Sequence, residues 1–297
     1  MLACLHKCVR IGKHCDAVKV RNERQDMILE QRDLSAMLET AIVAARLAGQ
    51  RAMEELRFIK VSIKNGKELV TQADTMCQQI IVSRIKENYP DHGFIAEEGT
   101  EGRIFKQTPR AAEQIYWVID PIDGTNNFAH RMLSFAVSVA AMHEGKPIVG
   151  VVFDPATESM FTAVKGGEAQ LNGRHITASE DKMDSFSSVG LDSLFDDGVP
   201  NWTCEIIHKT RFRNLGTTAL QFAYVAKGSM VATIANGPKL WDVAAGALIA
   251  EAAGAVVSDW QGKDIFPADL DSYQGERLQV IAANKKVHAE ILKLIKS

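Results

Sequence analysis

The chain has 297 residues, 46% hydrophobic and 24% charged, with a formal net charge of -3. That is the composition of a globular protein with material for a large core, in one domain or two. The small negative charge excludes a broadly basic nucleic-acid surface. No apolar run approaches the roughly 18 residues that span a bilayer, so neither nucleic acid nor a membrane is expected as a partner.

The opening stretch, Met1 to Asp26, is basic but lacks the continuous apolar segment of a secretory signal. It reads as an extension, residues 1–35. Cys4, Cys8 and Cys15 lie near His6 and His14 without the CxxC spacing of a zinc site. With Cys77 and Cys204 the cysteines number five, an odd count that fits reduced thiols and a cytoplasmic protein. Cys77 and Cys204 read as small buried apolar residues.

From about Asp33 to Phe58, Met37, Ala41, Ala44, Ala45 and Ala48 recur at helical spacing and predict an amphipathic helix. Lys64-Asn65-Gly66-Lys67 is a turn. Asp74 to Tyr89 is a second helix with Cys77, Ile80, Ile81 and Ile85 as its apolar stripe, stopped near Pro90. Gly93-Phe94-Ile95-Ala96 is a short strand running into Glu97-Glu98-Gly99. Residues 100–114 are polar, carry no period, and read as a loop. Trp117 to Ile119 is the end of a strand that two carboxylates, Asp120 and Asp123, terminate through a sharp Asp-Pro-x-Asp-Gly exit.

A β-meander follows: Phe135–Met142, Ile148–Phe153, Ser159–Val164 and Ala169–Leu171, separated by Gly, Pro and Asn-Gly turns. Ser134 and Ser138 read as structural. Thr177-Ala178-Ser179-Glu180-Asp181 reads as a polar linker, dividing an α+β subdomain, 36–178, from an α/β subdomain, 179–297. In the second, strands at Ser187–Leu191, Met230–Ile234, Ala255–Ser258 and Gln279–Ala282 alternate with helices near 201–209, 217–227, 242–253 and 286–296.

Three acidic clusters stand at strand ends or helix starts: Glu97-Glu98, Asp120 with Asp123, and Asp242 in Leu240-Trp241-Asp242-Val243-Ala244-Ala245-Gly246. Singly, each has an ordinary reading: solvated loop charges, a turn, a helix N-cap. Brought together by a fold, they would need cations to neutralise them. An all-oxygen donor set points to Mg²⁺.

Asp120-Pro121-Ile122-Asp123-Gly124-Thr125-Asn126-Asn127-Phe128 resembles the signature of the inositol monophosphatase family. Ile95-Ala96-Glu97-Glu98-Gly99 resembles its upstream acidic motif, Trp241–Gly246 with Glu251–Ala255 its C-terminal signature, and Leu69-Val70-Thr71-Gln72-Ala73-Asp74 its N-terminal element. The resemblance runs in order from about residue 36 to the end. It implies a layered αβαβα sugar-phosphatase fold and a lithium-sensitive, homodimeric phosphomonoesterase using two or three Mg²⁺ ions. By position, Glu97, Asp120, the carbonyl of Ile122, Asp123 and Asp242 would be metal ligands. Thr125 paired with Asp74, and Glu97, would activate water, and the amides of Gly124 and Thr125 would hold phosphate.

The resemblance makes a small phosphate monoester the substrate, with inositol 1-phosphate first. Asp123 would face it. Gly216-Thr217-Thr218 resembles the family's Gly-Thr-Ala element that lines the polyol, and Arg213 is a candidate for a second anionic group. The family commonly places a hydroxyl-binding glutamate seven residues before the motif aspartate; this chain has Ala235 there, with Asn236 beside it. Histidinol phosphate, fructose 1,6-bisphosphate and 3′-phosphoadenosine 5′-phosphate therefore stay open, as does a catalytically silent phospho-ligand binder.

Overall fold

The computed structural model describes residues 29–64, 68–100, 103–192, 195 and 198–296. The turn expected at Asn65–Lys67 and the N-terminal extension before Leu29, with Cys4, Cys8 and Cys15, lie outside them.

The first helix, α1 (Gln31–Glu55), buries Leu34, Met37, Ala41, Ala44, Ala45, Ala48 and Ala52 along one stripe. Small residues on that stripe bring the helix close to the sheet: a Cβ on Gly49 would stand 2.6 Å from the Phe153 ring. A hairpin that the sequence pattern did not mark follows, β1 (Val61–Lys64) antiparallel to β2 (Glu68–Thr71). It leads into α2 (Gln72–Asn88). Thr71 and Asp74 form a capping box there, the Asp74 Oδ2 accepting the Thr71 N–H at 2.8 Å and its hydroxyl at 2.6 Å.

The next strands are β3 (Gly93–Ala96), β4 (Phe105–Gln107), β5 (Tyr116–Asp123), β6 (Ala136–His143), β7 (Lys146–Asp154), β8 (Ser159–Val164), β9 (Gln170–Leu171) and β10 (Arg174–His175), with the short helix α3 (Thr125–Ala129) after β5. They form an eight-stranded sheet ordered β10-β9-β8-β7-β6-β5-β3-β4. Only β3 and β5 pair in parallel; the other pairs are antiparallel. β4 corrects the loop expected over 100–114. Three half-buried residues have too short a pattern to show a period, but they close the sheet edge against β3.

The second half contains β11 (Ser188–Leu191), α4 (Asn201–Lys209), β12 (Arg211–Arg213), α5 (Thr218–Ala226), β13 (Ala232–Asn236), α6 (Leu240–Ala252), β14 (Val256–Asp259), β15 (Gln279–Ala283) and α7 (Lys285–Ile295). Its five-stranded sheet has the order β12-β11-β13-β15-β14, parallel through β12, β11 and β13 and antiparallel at β15. The three-residue edge strand β12, exposed throughout, was also unmarked.

Three cores bind these parts into αβαβα layers. One lies between α1, α2 and the large sheet. The second holds α5 and α6 between the two sheets. The third packs α4 and α7 on the outer face of the small sheet. A strand covered by helices on both faces reads as a near-continuous apolar run; β5 is buried at every position and apolar up to Ile119, after which it carries Asp120 and Asp123. The central layer is tight: a Cβ on Gly150 of β7 would stand 2.8 Å from the Ala245 carbonyl of α6. Cys77 is buried as expected, its thiol donating to the Ala48 carbonyl at 3.3 Å. Cys204 is exposed, a correction: α4 buries Trp202, Thr203 and Ile206, and Cys204 falls on the opposite side of the helix.

Candidate active site

The site grows from the end of β5. The strand does not stop before its carboxylates, as the sequence suggested, but runs on through Asp123. Its register against β6 breaks between the Asp120–Ser138 and Asp123–Ala136 pairs. Such an irregularity re-aims side chains, and the Ile122 N–H donates to Asp120 Oδ1 at 2.9 Å. Gly124 then turns the chain with φ +97, and a Cβ there would meet the carbonyls of Gly216 and Ser134 at 3.1 Å. Only glycine takes both the angle and the space.

Asp242 completes the group. One carboxylate oxygen from each of Asp120, Asp123 and Asp242 lies within 4.8 Å of the others. Asp242 is not the N-cap of α6, the ordinary reading; Lys239 holds that place and donates its N–H to Asp242 Oδ2 at 2.7 Å. Two further bonds fix this helix start. The Tyr273 hydroxyl accepts the Leu240 N–H at 2.8 Å, and the Ser138 hydroxyl donates to the Trp241 carbonyl at 2.8 Å. Ser138 is thus structural, as is Ser134, whose hydroxyl donates to the Leu215 carbonyl at 2.9 Å.

Asp123 is gripped by the start of α5. Its Oδ2 accepts the Ala219 N–H at 2.6 Å and the Thr217 hydroxyl. Glu97 follows β3, the parallel neighbour of β5, and among charged neighbours acts most strongly on Asp120. Its carboxylate is not one of the three within 4.8 Å. The adjacent Glu98 backbone is held by Gln78 of α2, which accepts its N–H at 2.9 Å and donates to its carbonyl at 2.5 Å. Thr125 opens α3 and donates to Asp74 Oδ1 at 3.2 Å and to the Ile122 carbonyl at 3.1 Å. Asp74 therefore caps α2 with one oxygen and reaches Thr125 with the other.

Electrostatics follow from burial. Asp120 is driven well above the usual carboxylate range, first by loss of water and then by Glu97, Asp242 and Asp123. Burial, then Asp242, raises Asp123 to about 8, against the donors at Thr217, Ala219 and Thr218. Asp74 is raised to about 6 by burial despite its bonds to Thr71. Asp242, whose carboxylate lies within 4.8 Å of that of Asp120, adds to the rise of Asp120. Divalent cations bound by oxygen ligands would relieve the repulsion among these acids, so the donor set fits them.

Of the remaining expected contacts, Gly216 and Thr217 adjoin Gly124 and Asp123. Thr217 is buried as the N-cap of α5, its hydroxyl oxygen accepting the Leu220 N–H at 3.3 Å. Thr218 is the first residue of that helix. Gly216 is exposed beside the Asn127 side chain. Ala235 is buried in β13. Arg213 lies on the exposed edge strand β12 and donates to the Phe212 carbonyl at 2.9 Å. Sequence reasoning missed Asp192, directly after β11. Its Oδ2 accepts the Asn236 N–H at 2.6 Å, and burial, against that bond, raises it to about 6, with Asp242 adding to the rise. An acid directly after a predicted strand is the same signal that marked Glu97.

Residues 33–297 match the inositol monophosphatase family. The Nus factor SuhB of Pseudomonas aeruginosa is 35% identical over 273 residues, covering 88% of this chain and 96% of that protein. The inositol-1-monophosphatase of Mesorhizobium japonicum is 33% identical over 271 residues, covering 88% and 97%. Among solved structures, the IMPase of Thermotoga maritima has a TM-score of 0.75 at 32% identity, covering 88% of this chain and 97% of that one.

Proposed function

We propose, from the premise that this chain belongs to the inositol monophosphatase family, that it hydrolyses small phosphate monoesters with two or three Mg²⁺ ions, inositol 1-phosphate being the leading substrate. The observation that carries this reading is the convergence of Asp120, Asp123 and Asp242 beside the Thr125–Asp74 pair. Glu97, Asp120, the Ile122 carbonyl, Asp123 and Asp242 are the residues to hold the cations. Bound Mg²⁺ supplies positive charge against the phosphate and lowers the pKa of a coordinated water.

The chain's own groups then position and move protons. Thr125 commits its hydroxyl hydrogen to Asp74 and the Ile122 carbonyl, leaving its oxygen to accept a hydrogen bond from the attacking water. Glu97 and the Thr125–Asp74 pair take up the proton that the water loses. The amides of Gly124 and Thr125 hold phosphate oxygens; α3 has only five residues, so individual N–H groups rather than a helix dipole do this work. Phosphoryl transfer asks for this positioning and charge neutralisation and needs no covalent protein nucleophile.

The same reading takes residues 1–35 as an extension and divides the rest at 178/179. The large sheet ends at His175 and the small one begins at Ser188, which supports that division. It also takes the protein as a cytoplasmic homodimer inhibited by lithium. No helix among the described residues is long and apolar enough to cross a membrane. The SuhB relative bears the name of a Nus factor rather than of an enzyme, and this favours a second reading, a phospho-ligand binder without turnover. A phosphate-release panel decides between them: inositol 1-phosphate, histidinol phosphate, fructose 1,6-bisphosphate and 3′-phosphoadenosine 5′-phosphate, each with Mg²⁺ and with chelator. Mg²⁺-dependent release from at least one is expected; release from none would leave the binder.

A further inference from the structure

We infer that Asp192 is a specificity-determining residue that accepts hydrogen bonds from hydroxyl groups on the leaving group, so that the chain selects polyhydroxylated monoesters over hydroxyl-free ones. The inference rests on the phosphatase reading above.

Strand register places the residue. β11 runs parallel to β13 with Leu191 opposite Ile234, so Asp192 falls beside Ala235, one step past the last registered pair. Alternation then decides its face. Val189, Leu191 and Ile234 point into the outer core under α4 and α7. Gly190 and Asp192 therefore point inward, toward α5 and α6. The space around Gly190 agrees: a Cβ there would meet Gln221 Oε1 of α5 at 2.8 Å. Ala235 pairs with Val280, which belongs to the inner core, so its methyl lies on that same face.

The Asn236 N–H, at 2.6 Å from Oδ2, orients the Asp192 carboxylate. The end of β13 that it bonds leads directly into α6, the helix that carries Asp242. An ionised carboxylate offers about four acceptor positions, so positions remain for a ligand, and the residue is only half-buried. Ala235 itself is fully buried, so the polar group that this end of β11 and β13 offers to a leaving group is the half-buried carboxylate of Asp192.

The test is a selectivity ratio, kcat/KM for inositol 1-phosphate divided by that for p-nitrophenyl phosphate, in wild type and Asp192→Asn. Asparagine keeps the shape and an acceptor for the Asn236 N–H. The ratio does not depend on the fraction of enzyme correctly folded, and Asp192→Ser provides a second variant. We expect it to fall about tenfold, the loss of charged hydrogen bonds to hydroxyls. A ratio within about twofold of wild type, whether both rates fall or neither does, overturns the assignment. If wild type releases phosphate from neither ester with Mg²⁺ nor from any other ester of the panel, the phosphatase reading itself fails, and the role of Asp192 fails with it.

Discussion

The carboxylate of Asp123 accepts the backbone N–H of Ala219 at 2.6 Å, across 96 residues of sequence. The bond ties the end of a central strand in the large sheet to the first turn of α5, in the layer between the sheets. With Asp242 arriving from the neighbouring helix α6, it means that the acid centre closes only when the two halves dock.

Asp123→Asn tests the centre at its most constrained point. The amide can still accept the Ala219 N–H, so the ion-free fold is expected to keep its melting temperature within a few degrees. Turnover should fall by more than the roughly 100-fold typical of losing a second-sphere partner. The rise in Tm on adding Mg²⁺ should shrink in parallel. Surviving activity would move the metal site elsewhere.

Chelation should expose a pH dependence. The folded, ion-free chain holds a proton on Asp123 up to about 8, while an unfolded aspartate releases it near 3.8. Asp120 is shifted the same way. Stability from these raised pKa values is fully present below the unfolded value and is lost as pH rises through the folded one. In EDTA the melting temperature should therefore fall by several degrees between pH 5 and pH 8. Mg²⁺ should flatten that slope, because cations replace the protons. A Tm in EDTA that rises over this range would contradict the burial argument.

Thr125→Ala removes the hydroxyl that links Asp74 to the site. We expect kcat to fall about 100-fold, the lower end for a positioned proton-transfer group, with KM changed far less. Thr125→Ser should recover most of the rate, since it restores the donor to Asp74. Equal rates for the alanine and serine variants would remove Thr125 from the mechanism.

A stability control lies in the outer layer. Asn284 caps α7, its side chain accepting the N–H of Lys286 at 3.2 Å and of Val287 at 3.1 Å while donating to the Asp181 carbonyl at 2.9 Å. Asn284→Ala should cost about 1–2 kcal/mol in chemical denaturation, with kcat/KM unaffected at temperatures where the variant stays folded.

Local chemistry was legible from sequence where it repeats along the chain. The alanine stripe of α1, the four helices of the second half and the acids at the ends of β3 and β5 all follow from periodicity and turn residues. The hairpin β1–β2 and the strands β4 and β12 were not legible. Each has three or four residues, too few for a period, lacks the continuous apolar character that marked β3, and exists because a neighbouring strand supplies its hydrogen bonds. Cys204 was misjudged because composition says nothing about which side of α4 it occupies.

The four motifs around Asp74, Glu97, Asp120–Asp123 and Asp242 marked the family in the sequence, since spacing and residue type are carried by the chain. Tertiary structure alone decided which acids meet. It made Asp242 a member of the group as well as a bonding partner of Lys239, committed Thr217 to Asp123, buried Ala235, and set Asp192 on the inner face beside it. The reason is that these relationships depend on strand register and on two helices docking between sheets. Neither leaves a periodic mark in a one-dimensional sequence.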